Sequence, residues 1–187
     1  MARNQIEDPE SINFEELKSF YGLKGHLGDL LLKWKLGRSW LLQSLAAVTP
    51  SSRMSVALHR ARGVKIGNHV YIGPKVFIDT LYPTLVTIED YVSIGMGTMI
   101  FAHSNPTNSI LLKRKYFPRK VEPVVIKKGA WIAPGCIILC GVTIGSNSVV
   151  GAGSIVTRDV EDESVVAGSP ARLIKRLTDL NGDGRYP

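Results

Sequence analysis

The sequence predicts an all-β core, a parallel β-helix wound from six-residue repeats, with helical segments before it and a short helix after it. Two observations carry this expectation. Aliphatic residues recur every six positions: Ile66, Ile72 and Ile78, then Ile88, Ile94 and Ile100, then Ile126, Ile132, Ile138, Ile144, Val150 and Val156. Four positions after each aliphatic stands a second small or β-branched residue, as in Val70, Val76, Val92, Thr98, Ala130, Cys136, Val142, Ser148 and Ser154. A period of six is neither the helical period nor strand alternation; each repeat forms one face of a triangular coil, and three repeats make a turn. Coils spaced by about 4.8 Å give a four-coil prism a flank of about 15–20 Å.

From the N-terminus, residues 1–63 form a helical, amphipathic cap. Asp8, Pro9 and Glu10 have the character of a helix start, and Gly22 that of a stop. In residues 27–48, Leu27, Leu31, Trp34, Leu41, Leu45 and Val48 share much of one helical face, whereas Gly37 and Pro50 argue against an uninterrupted helix through Val56. That face suits two roles: covering the end of the prism, or resting in a membrane interface with Trp34 and Trp40, where Lys33, Lys35 and Arg38 would meet lipid phosphates. Asp29 and those three basic residues make it too charged to span a bilayer.

The prism occupies residues 64–166. Counting faces in threes stacks Ile78, Ile100, Ile138 and Val156, provided two interruptions are loops. One, near Leu81, Tyr82, Pro83 and Thr84, adds four residues; the other, residues 101–125, begins beside His103 and carries Lys113, Arg114, Lys115, Arg119 and Lys120. Long loops on a rigid scaffold commonly bind ligands. The basic cluster suits either an anionic group or plain solvation. In the remaining cap and tail, 167–187, residues 170–177 suit a short helix that covers the unpaired edge of the last coil.

Composition narrows the function. With 44% apolar and 21% charged residues, one well-buried domain is expected. The net charge of +7 is dispersed among loop and caps without a nucleic-acid-reading module, so nucleic acid is not an expected partner. Cys136 and Cys140, inside the repeat, form neither a disulfide framework nor a zinc ribbon. No apolar signal core follows Met1, and a cytoplasmic chain is expected, free or at the inner face of the membrane. No metal is expected, because the histidines lack the converging spacing of a zinc enzyme.

The segments Trp131-Ile132-Ala133-Pro134-Gly135, Gly141-Val142-Thr143-Ile144-Gly145 and Gly151-Ala152-Gly153-Ser154-Ile155-Val156-Thr157, closed by Ala167-Gly168-Ser169-Pro170-Ala171-Arg172, resemble the hexapeptide-repeat acyltransferases. The likeness is to the maltose and galactoside O-acetyltransferase group, and in the front half to the acetyltransferases of polysaccharide biosynthesis. It implies a left-handed β-helix, a homotrimer with sites between neighbouring prisms, acetyl-CoA as co-substrate and a sugar or glycan acceptor. It makes His103, in Ile100-Phe101-Ala102-His103-Ser104-Asn105-Pro106, the general base, a task suited to imidazole near neutral pH. Two carboxylates, Glu122 and Asp79, are candidates to orient it. By the same resemblance Ala133, Ala152 and Thr157 line the coenzyme groove, Arg158 stands near its phosphates, and Arg172 and Lys175 belong to the tail reaching its nucleotide end. Trp131 walls the pocket, and Gly141, at the corner one turn beyond His103, leaves room for the reactants. The characteristic sugar-contacting front segment of the maltose group is absent, which argues against maltose or galactoside itself. N-acetylation of an amino sugar or antibiotic stays open, as does a non-catalytic binding scaffold.

Overall fold

The computed structural model describes residues 9–104 and 108–179. Three helices come first: α1 (Pro9–Phe20), α2 (Gly25–Val48) and α3 (Ser52–Ala61). Asp8 lies outside the described residues. Gly22 and Gly25, both at φ +65°, break the chain between α1 and α2. α2 runs unbroken through Gly37 and stops before Pro50, whose predecessor Thr49 is extended. Ser51 then caps α3, its side chain accepting from Met54 N.

The coils follow. One face is built from β1 (Lys65–Ile66), β4 (Val86–Ile88), β9 (Val124–Ile126) and β12 (Thr143–Ile144). The second contains β2 (Tyr71–Ile72), β5 (Ser93–Ile94), β10 (Trp131–Ile132), β13 (Val149–Val150) and β15 (Ser164–Gly168), and the third β3 (Phe77–Ile78), β6 (Met99–Ile100), β11 (Ile137–Ile138) and β14 (Ile155–Val156). All these pairings are parallel. The sequence register holds: Ile78 pairs with Ile100, Ile100 with Ile138 and Ile138 with Val156, every one buried. The second inward positions are buried too, apart from half-buried Val70. Their hydroxyls are satisfied internally: Ser154 Oγ donates to Gly151 O (2.6 Å) and Thr98 Oγ1 to Ala133 O (3.3 Å).

The corner glycines answer two different demands. Gly97, Gly135 and Gly153 have φ near +70°. Gly95 has an ordinary φ but faces backbone: a Cβ there would come within 2.5 Å of Pro134 N and 2.7 Å of Ala133 C in the next coil. Gly95→Ala must therefore push two coils apart. We expect a loss of about 2–3 kcal/mol, read as a fall in Tm of about 4–12 °C by calorimetry, whereas Gly153→Ala, with open space around it, should cost less.

The C-terminal expectation needs correcting. Residues 171–176 are a strand, β16 (Ala171–Arg176), antiparallel to β15, followed by a 3₁₀ turn over Leu177–Asp179. The edge of β15 offers free ladder groups, and a strand returning from Gly168 (φ +104°) satisfies them directly, which a helix would not. At the other end α2 and α3 cover the first coil. Ser52 Oγ accepts from Ile72 N (2.9 Å), and Gln43 bridges Val76 O and Ile78 N. Among the described residues no helix is long and apolar enough to cross a membrane.

Candidate active site

The long loop leaves the prism directly after β6. Its base is clamped by a two-stranded antiparallel ladder, β7 (His103–Ser104) with β8 (Lys120–Val121), so His103 is held by the scaffold although it begins a loop. Below it, one coil earlier in the same corner column, lies Asp79, fully buried. His103 Nδ1 is 2.5 Å from Asp79 Oδ2.

The chain wraps around this carboxylate. Oδ1 accepts from Leu81 N (2.9 Å) and Tyr82 N (3.0 Å), and Oδ2 also accepts from Ala102 N (2.9 Å). Burial alone would raise the Asp79 carboxyl; the hydrogen bond and charge of His103, with the N–H groups of Tyr82 and Ala102, outweigh it and hold Asp79 below the usual carboxylate range. An ionised Asp79 only accepts, so Nδ1 carries the proton and Nε2 of neutral His103 keeps its lone pair. The imidazole is 16% exposed, enough for a reactant to approach.

Of the two candidate carboxylates, then, Asp79 contacts the ring. Glu122 sits beside Gly141: its backbone N–H donates to Ala102 O (3.0 Å), and a methyl group at Gly141 (φ +81°) would overlap its carboxylate. The left-handed backbone at Gly141 is what favours glycine there, and the Glu122 carboxylate packs against it.

Two residues missed by sequence reasoning complete the support. Tyr82, buried, tilts against the His103 ring with centroids 5.3 Å apart, and Phe20 from α1 meets Tyr82 edge-on at 4.7 Å. Arg62, buried at the end of α3, donates to the carbonyl oxygens of Ile78 and Asp79 and to Gln43 Oε1. Tyr82 lay in the four-residue insertion read only as a loop, and Arg62 carried no positional signal.

Part of the basic cluster is structural. Lys113 Nζ binds Asn13 Oδ1 (2.6 Å) and Glu16 Oε2 (3.0 Å), and Arg119 Nη1 binds the same Glu16 oxygen (3.0 Å), tying the loop to α1. Burial pushes both cysteine thiols up, Cys140 further through the Glu122 charge, which disfavours the thiolate, and Cys136 points inward to Ala133 O (3.0 Å). His59 is buried, His69 stacks on Tyr91 and His26 is exposed, all packing or surface roles.

The remaining candidates fall in distinct places. Gly141, Thr157 and Arg158 continue the corner column of Asp79 and His103, between the third face and the first. Ala133 and Ala152 occupy the neighbouring column, across the third face, and Trp131 sits on the second face, 42% exposed. Arg158 and Arg172 line one cleft of about 190 Å³ beside β16; Lys175, half-buried, pairs with Val165 outside that lining. One chain alone therefore does not bring all the groove candidates to one surface. Asp159 and Glu161 line the same cleft, so the two arginines share it with two carboxylates.

Comparison with known proteins gives a consistent picture. Residues 123–158 match the family model described as bacterial transferase hexapeptide (six repeats). Over 179 residues, 86% of this chain, the sequence is 30% identical to a protein of Escherichia coli K12 provisionally named as the colanic acid biosynthesis acetyltransferase WcaF, covering 96% of it. It is 37% identical over 116 residues to the galactoside O-acetyltransferase of E. coli K12, covering 62% of this chain and 55% of that protein. The chain spans about half the length of the galactoside O-acetyltransferases it matches. A hexapeptide-repeat acetyltransferase of Vibrio cholerae, solved with acetyl coenzyme A, superposes with a TM-score of 0.65 at 27% identity, over 79% of this chain and 89% of that one.

Proposed function

Since this chain belongs to the hexapeptide-repeat transferase family, we propose that it transfers acetyl from acetyl-CoA to a hydroxyl of a sugar or surface-glycan precursor, with His103 as general base. The observation that carries the reading is the Asp79–His103 pair, which leaves Nε2 as a proton acceptor at the mouth of a rigid corner. Nε2 takes the hydroxyl proton as the oxygen attacks the thioester carbonyl. The tetrahedral intermediate collapses with cleavage of the C–S bond, and the departing sulfur takes the proton back from Nε2–H. The products are the acetyl ester and CoA with a free thiol, and His103 returns to its starting state.

In this reading Asp79 positions His103, and Glu122 borders the site without contacting the ring. Thr157, Ala133 and Ala152 line the coenzyme, Trp131 walls the pocket, and Arg158, Arg172 and Lys175 meet its phosphates or nucleotide. The prism is left-handed and works as a homotrimer. A trimer explains why the candidates are divided between two corner columns: a groove between prisms sets one column of one protomer against the other column of its neighbour. The E. coli relative named for colanic acid biosynthesis, aligned over nearly its whole length, favours a surface-glycan acceptor.

Acetyl-CoA titration by calorimetry, with sedimentation to give the oligomer, tests the groove. Wild type should bind as a trimer. Arg158→Ala should weaken binding about 5- to 30-fold through loss of one charge-assisted phosphate contact. A monomer that binds acetyl-CoA fully, or an Arg158→Ala protein with unchanged affinity, would remove the groove assignment.

A further inference from the structure

The inward side of α2 is mostly small or polar, with Leu32 its one fully buried large apolar residue, and most of the large apolar residues of the helix stand on the outward side. Inward stand Gly28, Leu32, Ser39, Gln43 and Ala46. Ser39 Oγ donates to Thr80 O (2.8 Å), Gln43 Nε2 to Val76 O (2.9 Å), and Lys75 N donates to Ala47 O (2.8 Å). These partners run antiparallel to α2 along β3, so the helix lies across the N-terminal end of the prism and its other side points away from the coils. That side presents Leu27, Leu30, Trp34, Leu41, Leu45 and Val48, between 46% and 77% exposed, and nothing among the described residues covers it.

At about 3.6 residues per turn these six fall on one arc. Lys33 and Trp40 stand at one margin; at the other stand Lys35, which lies over the Tyr21 ring, and Arg38, which donates to Ala61 O, both still exposed. The helix has a single acidic residue, Asp29, and Lys18 holds it in an ion pair. The arc is therefore apolar and bordered by positive charge.

We propose that this face of α2 docks the protein on an anionic lipid bilayer, with the helix lying in the plane of the interface. An apolar arc with tryptophan and basic margins matches the acyl boundary below and the phosphates above it. A contiguous apolar surface of this kind marks an interaction site and not ordinary solvent-facing surface. A second copy is the poorer occupant, because a two-fold end-to-end contact would set the basic margins of one helix against those of the other. The inference stands apart from the acetyl-transfer reading. If the trimer of that reading holds its prisms parallel, three such helices share one plane and strengthen attachment.

Flotation with vesicles of phosphatidylglycerol and phosphatidylcholine, against phosphatidylcholine alone, tests it on the full chain. Wild type should bind the anionic vesicles at least about tenfold more tightly, and lipids brominated in the acyl chain should quench its tryptophan fluorescence. Both Trp34→Glu and the triple variant Leu30→Glu, Trp34→Glu, Leu41→Glu should lose binding while keeping the wild-type circular dichroism. No flotation of wild type, or flotation unchanged in folded variants, would overturn the proposal. So would end-to-end pairing of wild-type particles in lipid-free solution that the triple variant abolishes, because a second copy would then be the occupant.

Discussion

His103→Ala should lower kcat for acetyl transfer by about 10²–10⁴-fold, the range supplied by a positioned general base, with little change in affinity for acetyl-CoA. Nδ1 is committed to Asp79, so only Nε2 is available for chemistry, and alanine removes the proton acceptor without touching the coenzyme candidates. The fold should survive, since the backbone ladder of His103 with Val121 does not depend on the side chain and Asp79 keeps the N–H groups of Leu81, Tyr82 and Ala102. Steady-state kinetics combined with acetyl-CoA titration checks this. A folded variant that keeps most of its kcat would assign the base elsewhere; one that loses coenzyme binding in proportion would make His103 a binding residue.

Asp79→Asn should be nearly as damaging to kcat and should also cost stability. Each carboxylate oxygen of Asp79 accepts two hydrogen bonds, and an amide nitrogen accepts none. If the amide nitrogen takes the Oδ2 position, it opposes Ala102 N–H and forces the proton of His103 onto Nε2, the wrong tautomer for a base. If it takes the Oδ1 position, Leu81 and Tyr82 N–H are orphaned and the turn supporting the ring loosens. The first arrangement orphans one buried donor and the second two, at a cost of about 1–3 kcal/mol for each. We expect kcat to fall by about 10²–10⁴-fold with KM changed much less.

The pH dependence separates this positioning role from a merely structural one. Asp79 is held below its ordinary value of 3.8, so its contribution to stability is fully present above that value and is lost as pH falls through the lower folded value. The wild type should therefore lose stability below about pH 4, and the asparagine variant should lack that component. Its activity profile should also change, because the tautomer of His103 depends on the partner. A variant that is destabilised but keeps its kcat and its pH–rate profile would leave Asp79 as packing alone.

The coil register was legible because every third aliphatic must stack on its own kind, and a slip of one residue would turn that side chain outward. His103 was singled out through the resemblance, which sets a histidine at the start of the long loop after Ile100. The choice between Asp79 and Glu122 was not: it depends on how residues 79–82 fold around a buried carboxylate, which spacing does not encode. Arg62 and Tyr82 reach the site from α3 and from an insertion, segments with no period to fix them. For α2, periodicity revealed an apolar face but not its direction, because inward and outward faces have the same period. The sequence Arg172-Leu173-Ile174-Lys175-Arg176 is compatible with helix, and the free edge of β15 drew it into a strand.

The most direct measurement is acceptor-dependent release of CoA from acetyl-CoA by the wild type, across a panel of sugars, amino sugars and glycan intermediates. The predicted result is thiol release only when a hydroxyl-bearing sugar or glycan is present, with an acetyl ester as product. Release confined to amine acceptors would contradict the O-transfer assignment, and no release with any acceptor, together with no binding of acetyl-CoA, would contradict the enzyme itself.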